Sequence, residues 1–169
     1  IAAIGVRSQR APERTRRLIM KTHTSETQAT ITPAKALDFL KEGNQRFVNN
    51  LRINRNLLQQ ANETRDGQWP FATVVSCIDS RTSAELIFDQ GLGDLFIVRV
   101  AGNIVAPSQV GSVEFAAERY HTRLVVVLGH SRCGAILATL EELQRPTENQ
   151  SRNLRAIVDR VRPSVAGLL

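Results

Sequence analysis

Three side chains in this sequence have the types and spacing of metal ligands. Cys77 stands alone in the first half of the chain, and His130 and Cys133 form an H-x-x-C pair in the second half. Two thiolates and an imidazole are good zinc ligands, and three protein ligands leave a fourth position for water, as in catalytic zinc sites. A single disulfide or two buried thiols would also explain the cysteines, because cysteine is among the most buried residue types.

The segment that follows Cys77 adds a pair of opposite charges. Asp79 and Arg81 lie two residues apart in Cys-Ile-Asp-Ser-Arg. An arginine can hold a carboxylate with two parallel hydrogen bonds, which would keep Asp79 off a neighbouring metal and leave it as a hydrogen-bond acceptor. The alternative is an ordinary surface ion pair. It fits poorly with two charges packed beside a cysteine at the end of a strand.

The elements that would position these residues are short apolar runs separated by helical patterns. The runs Phe71–Ser76, Leu95–Val100 and Leu124–Leu128 are typical of strands buried on both faces of a parallel sheet. Alternation of strand and helix predicts right-handed βαβ crossovers and an α/β fold with a central, mostly parallel sheet flanked by helices. A predicted helix follows each of these runs: Ala84–Gln90, Val110–His121 and Cys133–Leu143.

The ends of the strands predict where the ligands meet. Cys77 directly follows the first run, and His130 and Cys133 follow the third. In open parallel sheets, ligands bind in the crevice at the carboxyl ends of the strands. We therefore expect all three side chains at one edge of the sheet.

Helical patterns also flank the sheet. Thr32 is a predicted N-cap, and Pro33 follows it at the first helical position of an N-terminal helical arm that runs to about Asn50. Leu37, Leu40 and Phe47 lie on one apolar face of this arm. Further helical patterns cover Asn54–Glu63 and the amphipathic tail Glu148–Val161.

Composition narrows the class of protein. Six basic residues and one acidic residue in the first 21 positions carry most of the net charge of +6, so the rest is not a basic nucleic-acid-binding domain. No apolar run reaches 18 residues, and the N-terminus lacks a secretory layout. We expect a cytoplasmic protein with no membrane or nucleic-acid partner, a disordered basic and polar extension over residues 1–31, and one domain over residues 32–169.

Four motifs in order resemble the β-class carbonic anhydrases. They are C-x-D-S-R at Cys77–Arg81, G-D-L-F-x-V-R-x-A-G-N at Gly93–Asn103, G-S-x-E-F-A-A at Gly111–Ala117 and V-V-L-G-H-S-R-C-G-A at Val126–Ala135. The resemblance implies zinc-dependent, reversible hydration of carbon dioxide to bicarbonate and a proton.

The resemblance also implies roles for the chemical residues. Zinc would be held by Cys77, His130 and Cys133, with Asp79 as a fourth ligand in a resting form. Asp79 and Arg81 would form the catalytic dyad.

Three further residues are implicated in substrate binding by the same resemblance. Gln68, in Gly-Gln-Trp-Pro, matches the glutamine that hydrogen-bonds substrate in the family, although a turn residue ahead of a strand is its other reading. Phe96 and Phe115 would line an apolar substrate pocket, and core packing explains them equally well.

The resemblance also implies how the protein assembles and whether it has a regulatory pocket. Members form homodimers or higher homo-oligomers in which the N-terminal helix packs against a partner, so the apolar face with Leu37, Leu40 and Phe47 is a predicted partner contact. Members also continue past the tail helix with a strand that is missing here, so we expect a C-terminally truncated domain. Some bacterial members bind bicarbonate at a second pocket that uses a tryptophan. Val74 stands at that position, with Arg99 at the arginine position, and we expect this pocket to be absent.

Three other functions stay open. Similar folds hydrolyse carbon disulfide or carbonyl sulfide with the same zinc set, and substrate access would decide between these activities. An inactive zinc-binding interaction module would need none of Asp79, Arg81 and Gln68. A thiol–disulfide redox protein is disfavoured, because the cysteines lie far apart without a C-x-x-C motif.

Overall fold

The computed structural model of the chain describes residues 22–148 and 151–168. Within these residues no helix combines the length and the apolar character needed to span a membrane. The elements are α1 (Ser25–Ala29), α2 (Pro33–Val48), α3 (Leu57–Glu63), β1 (Ala72–Ser76), α4 (Ala84–Ile87), β2 (Leu95–Arg99), a 3₁₀ turn (Ala101–Asn103), α5 (Pro107–Tyr120), β3 (Val125–Leu128), α6 (Gly134–Gln144), α7 (Arg152–Val165) and a 3₁₀ turn (Ala166–Leu168).

The predicted α/β fold is confirmed. The three strands form one parallel sheet in the order β2-β1-β3, so β1 is central. All five residues of β1 are buried, as expected for the middle strand of a parallel sheet. The prediction of burial on both faces is wrong for the edge strand β3, where Val125 is 44% exposed and Val127 is 70% exposed. The helices that join the strands are those that the sequence pattern predicts, with ends that differ by a few residues.

Helix α2 packs into the core of its own chain. Thr32 caps it by accepting a hydrogen bond from the Lys35 amide (3.2 Å), as predicted. Leu40 is 1% exposed within the core cluster, and Phe47 packs against that cluster. Leu37 on the same face is 37% exposed, so the partner contact predicted for this face stays a prediction.

Part of the predicted extension is folded onto the domain. Residues 1–21 lie outside the described residues, but Thr24 caps helix α1 with a capping box. The Gln28 side-chain amide donates to the carbonyl oxygens of Pro70 (2.6 Å) and Tyr120 (2.8 Å). Ile31 is 4% exposed and joins the core. Residues 22–31 are therefore a docked segment, held by hydrogen bonds of Gln28 and by burial of Ile31.

A buried carboxylate links three parts of the helical layer. Asp89, just after α4, is 1% exposed. It accepts hydrogen bonds from Arg46 of α2 (2.5 Å), from Arg55 (2.6 Å) and from the Ile53 amide (3.2 Å). Burial opposes ionisation of Asp89, but the hydrogen bonds from the two arginines outweigh it and hold its pKa below the ordinary value.

We predict that Asp89→Asn destabilises the domain by about 3–5 kcal/mol, because it leaves two arginines around a neutral group. Equilibrium urea unfolding near pH 7 measures this change. Since the pKa of Asp89 is lowered on folding, its contribution is present above the unfolded-state pKa of about 3.9 and is lost as the pH falls through the folded-state value. The parent should therefore lose stability more steeply than Asp89→Asn in that acid range.

Asp66→Asn is the matched control, because Asp66 pairs with Arg65 but is 82% exposed. Solvent-exposed ion pairs contribute little to folding stability, so this variant should change the free energy of unfolding by less than about 1 kcal/mol. Equal effects of the two substitutions would contradict a special role for the buried carboxylate.

Candidate metal centre

Strand register brings the two loops with the predicted ligands together. Ser76, the last residue of β1, is paired with Leu128, the last residue of β3. Cys77 directly follows β1, and His130 comes two residues after the end of β3. Cys133 is the N-cap of α6. The predicted convergence at the carboxyl edge of the sheet is what the structure shows.

The three ligand atoms form a compact cluster. The ligand atoms of Cys77, His130 and Cys133 all lie within 4.8 Å of one another. The two sulfur atoms are 3.9 Å apart and do not form a disulfide. Two thiolates bound at about 2.3 Å in tetrahedral geometry lie about 3.8 Å apart. The sulfur spacing therefore fits a zinc ion.

The imidazole of His130 is oriented as a metal ligand would be. Its side chain is 4% exposed, and Nδ1 lies 3.0 Å from the carbonyl oxygen of Ser131. Nε2 is buried and makes no hydrogen bond to any described residue. An Nδ1–H group that donates to a carbonyl fixes the tautomer and leaves the Nε2 lone pair for a metal. This unpaired buried nitrogen is a second reason why zinc fits the cluster.

The surroundings of Cys77 favour a thiolate. Burial raises the pKa of its thiol, but contacts of the sulfur with the His130 ring and with the backbone N–H groups of Asp79 and Gly102 outweigh this. The net effect places the Cys77 pKa below its ordinary value. Thiolates are the form in which cysteine binds metals.

Asp79 and Arg81 form the predicted bidentate pair beside the cluster. Arg81 donates from Nε to Oδ1 (2.9 Å) and from Nη2 to Oδ2 (2.7 Å), and its own amide donates to Oδ1 (3.0 Å). These hydrogen bonds hold the pKa of Asp79 well below its usual range. Asp79 Oδ2 lies 4.0 Å from His130 Nδ1. In this arrangement Asp79 is outside the set of three clustered ligand atoms, and its oxygens are engaged by Arg81.

Gln68 lies at the other end of β1. It is exposed in the loop that precedes the strand, whereas Cys77 follows the strand. Five strand residues at about 3.3 Å each separate the two ends by roughly 16 Å. The structure does not bring Gln68 to the metal cluster of the same chain.

Phe96 and Phe115 lie together, away from the ligands. Both line a groove of about 490 Å³ between β2 and α5. Each ring makes an edge contact with Tyr120, at centroid distances of 5.0 and 5.6 Å. Phe115 remains 58% exposed. None of the three predicted ligands lines this groove, so both residues stay predictions as substrate contacts.

Two further residues contact the ligand loops, a role that the sequence motifs did not predict for them. Arg99 donates to the carbonyl oxygens of Cys77 and Asp79, and Asn103 donates to that of Leu128. Arg99 is the last residue of β2, and Asn103 lies in the turn that follows it. Their position at the same edge of the sheet was the available signal. Val74, which stands at the tryptophan position of the second bicarbonate pocket of some family members, is fully buried in the core.

Comparison with known families and proteins gives a consistent set of relatives. The family model described as carbonic anhydrase matches residues 72–168. The chain is 44% identical over 135 residues to a carbonic anhydrase of Mycolicibacterium smegmatis, covering 79% of this chain and 65% of the relative. It is 41% identical over 140 residues to carbonic anhydrase 2 of Mycobacterium tuberculosis, covering 79% and 64%. The chain thus spans slightly less than two thirds of the length of these relatives.

Solved structures show the same fold. The Coccomyxa β-carbonic anhydrase in complex with acetazolamide superposes with a TM-score of 0.57 at 21% identity, covering 78% of this chain and 58% of that one. A tetrameric β-carbonic anhydrase of Sordaria macrospora gives a TM-score of 0.52 at 21% identity, covering 78% and 66%.

We predict about one equivalent of zinc per chain and loss of most of it in Cys133→Ser, because serine removes one of two thiolate ligands. Elemental analysis of the purified proteins measures the zinc content. The same variant should unfold at a lower temperature, since metal binding contributes to folding stability. Ile78→Ser, at a 61% exposed position between Cys77 and Asp79, is the control and should keep its zinc. A well-folded parent that contains no metal would refute the assignment.

Proposed function

Because this chain belongs to the β-class carbonic anhydrase family, we propose that it catalyses the zinc-dependent, reversible hydration of carbon dioxide to bicarbonate and a proton. The observation that carries the proposal is the arrangement at the sheet edge. Three clustered ligand atoms lie beside a carboxylate that an arginine holds through both oxygens. A zinc site that served only the fold would require no such pair.

Cys77, His130 and Cys133 are the proposed zinc ligands. The sulfur spacing of 3.9 Å and the unpaired buried Nε2 of His130 support this choice. Bound zinc acidifies water, so that hydroxide is available as a nucleophile near neutral pH. Three protein ligands leave one position for that water.

Asp79 has the proposed role of orienting the attacking water. Its lowered pKa keeps it ionised throughout the neutral range, so it accepts hydrogen bonds and does not donate them. Arg81 fixes the carboxylate plane through two hydrogen bonds. Arg81 itself is 63% exposed, so the dyad lies between the buried cluster and solvent, where substrate and product can exchange.

We further propose that the active protein is a homo-oligomer. A substrate role for Gln68 requires a second copy, since Gln68 lies at the opposite end of β1 from the metal cluster of its own chain. Apolar side chains remain exposed on the sheet and on α5: Val127 is 70% exposed and Phe115 is 58% exposed. The tetramer of Sordaria macrospora supports association of this fold into larger assemblies.

We predict that Asp79→Asn and Arg81→Ala retain zinc but lose about 10²-fold in hydration rate. Neither side chain is needed to hold the metal, whereas a positioned proton acceptor typically contributes a factor of this size or more. Stopped-flow hydration of carbon dioxide with a pH indicator, on samples of known zinc content, measures the change.

Asp66→Asn serves as the control for this pair, because it removes an exposed carboxylate that is paired with the adjacent Arg65. It should hydrate carbon dioxide at the parent rate. An unchanged rate in Asp79→Asn would reduce the dyad to a structural role. Turnover of carbon disulfide or carbonyl sulfide without hydration of carbon dioxide would overturn the proposed substrate.

A further inference from the structure

We propose that the segment Arg99–Asn103 positions both ligand loops and thereby sets the geometry of the metal site; this proposal rests on the zinc function proposed above. We call this segment the loop bracket. It begins at the last residue of β2 and includes the 3₁₀ turn that follows. Arg99 is the strand partner of Ser76, the residue before Cys77. The bracket therefore starts beside the first ligand.

Arg99 holds the loop that carries Cys77 and Asp79. Its Nε donates to the Cys77 carbonyl oxygen (2.9 Å), and its Nη2 donates to the Asp79 carbonyl oxygen (2.7 Å). The planar guanidinium presents its donors in a fixed fork, so the two hydrogen bonds fix the backbone on both sides of Ile78. The loop is thus held at the ligand and at the dyad simultaneously.

Arg99 does not act through an ion pair. Across residues 22–148 and 151–168, no salt bridge includes its guanidinium. Its guanidinium donates instead to two backbone carbonyl oxygens of the ligand loop, those of Cys77 and Asp79. A side chain with these partners constrains backbone position, which is the property that a preorganised metal site needs.

The far end of the bracket holds the second ligand loop. The Asn103 side-chain amide donates to the Leu128 carbonyl oxygen (2.8 Å), two residues before His130. Asn103 has a positive φ of 53°, a conformation that asparagine tolerates better than most residues. The two ends of one short segment therefore hold one ligand loop each.

The middle of the bracket is anchored by close packing. Gly102 has a φ of 66°, and a Cβ there would lie 3.0 Å from the Ala135 Cβ and 3.2 Å from the Val161 Cγ2. The bracket is thus wedged against α6, which begins directly after Cys133, and against α7. All three ligands are connected to it through short paths.

The test compares zinc affinity in Arg99→Ala and Arg99→Lys with the parent. Affinity is measured by competition with a chromophoric chelator, and the visible spectrum of the cobalt-substituted protein reports ligand geometry. We expect zinc to bind about tenfold or more weakly in Arg99→Ala, as is typical when partners of metal ligands are removed. The cobalt bands should shift, which a general loss of stability would not cause. Arg99→Lys should recover little of the parent's zinc affinity, because an ammonium group lacks the paired, planar donors of a guanidinium.

Two further variants complete the experiment. Arg65→Ala, at an arginine that is 75% exposed and pairs with Asp66, should match the parent in affinity and spectrum. Asn103→Gly deletes the second arm at a position where glycine accepts the backbone conformation. It should also weaken zinc binding about tenfold, and it tests the proposal even if Arg99→Ala fails to fold.

The outcomes separate this inference from the proposed function. A parent that binds no zinc would remove the proposed function itself. Suppose instead that the parent binds zinc, and that Arg99→Ala and Asn103→Gly match it in zinc affinity and in cobalt spectrum. That result would overturn the proposed role of the loop bracket and leave the proposed function intact. Full recovery in Arg99→Lys would also overturn it, because charge would then suffice.

Discussion

The parallel register of three strands is the constraint on which the site depends. Ser76 of β1 is paired with Leu128 of β3 on one side and with Arg99 of β2 on the other. Because parallel strands end at the same sheet edge, the residues that follow these three positions must emerge side by side. A shift of one residue in the β1–β3 pairing would move one ligand loop by about 3.3 Å relative to the other and separate Cys77 from His130 and Cys133.

This edge also allows charged groups to lie beside buried sulfur atoms. The cysteines are 4% and 8% exposed, whereas Arg81 is 63% exposed. A single loop passes from the interior at Cys77 to solvent within four residues. Asp79, between them, is satisfied by Arg81 and so avoids the cost of an unpaired buried carboxylate. The same pairing limits its freedom to move onto a metal.

Much of the fold and of the site could be predicted from the sequence. Apolar runs of strand length identify the three strands, and residues placed just after them predict the cluster of Cys77, His130 and Cys133. The Asp79–Arg81 pair is local in sequence, so its geometry follows from spacing. These features depend on short-range patterns that tertiary context did not override.

Other features depend on which distant groups the fold brings together. The Arg99 contacts depend on the register between β1 and β2, which no local pattern specifies. The docking of α1 uses the amide of Gln28 on two backbone carbonyls, so its polar sequence resembles a free extension. The apolar face of α2 predicts burial correctly but cannot specify whether its own sheet or a partner covers it.

Exchange of oxygen-18 between labelled carbon dioxide and water tests the central claim most directly. Membrane-inlet mass spectrometry would follow one sample as purified, after removal of metal with a chelator, and after addition of zinc. We predict catalysed loss of label in the first state, no loss above the uncatalysed rate in the second, and recovery of catalysis in the third. Exchange that continues unchanged in the folded, metal-free protein would contradict it.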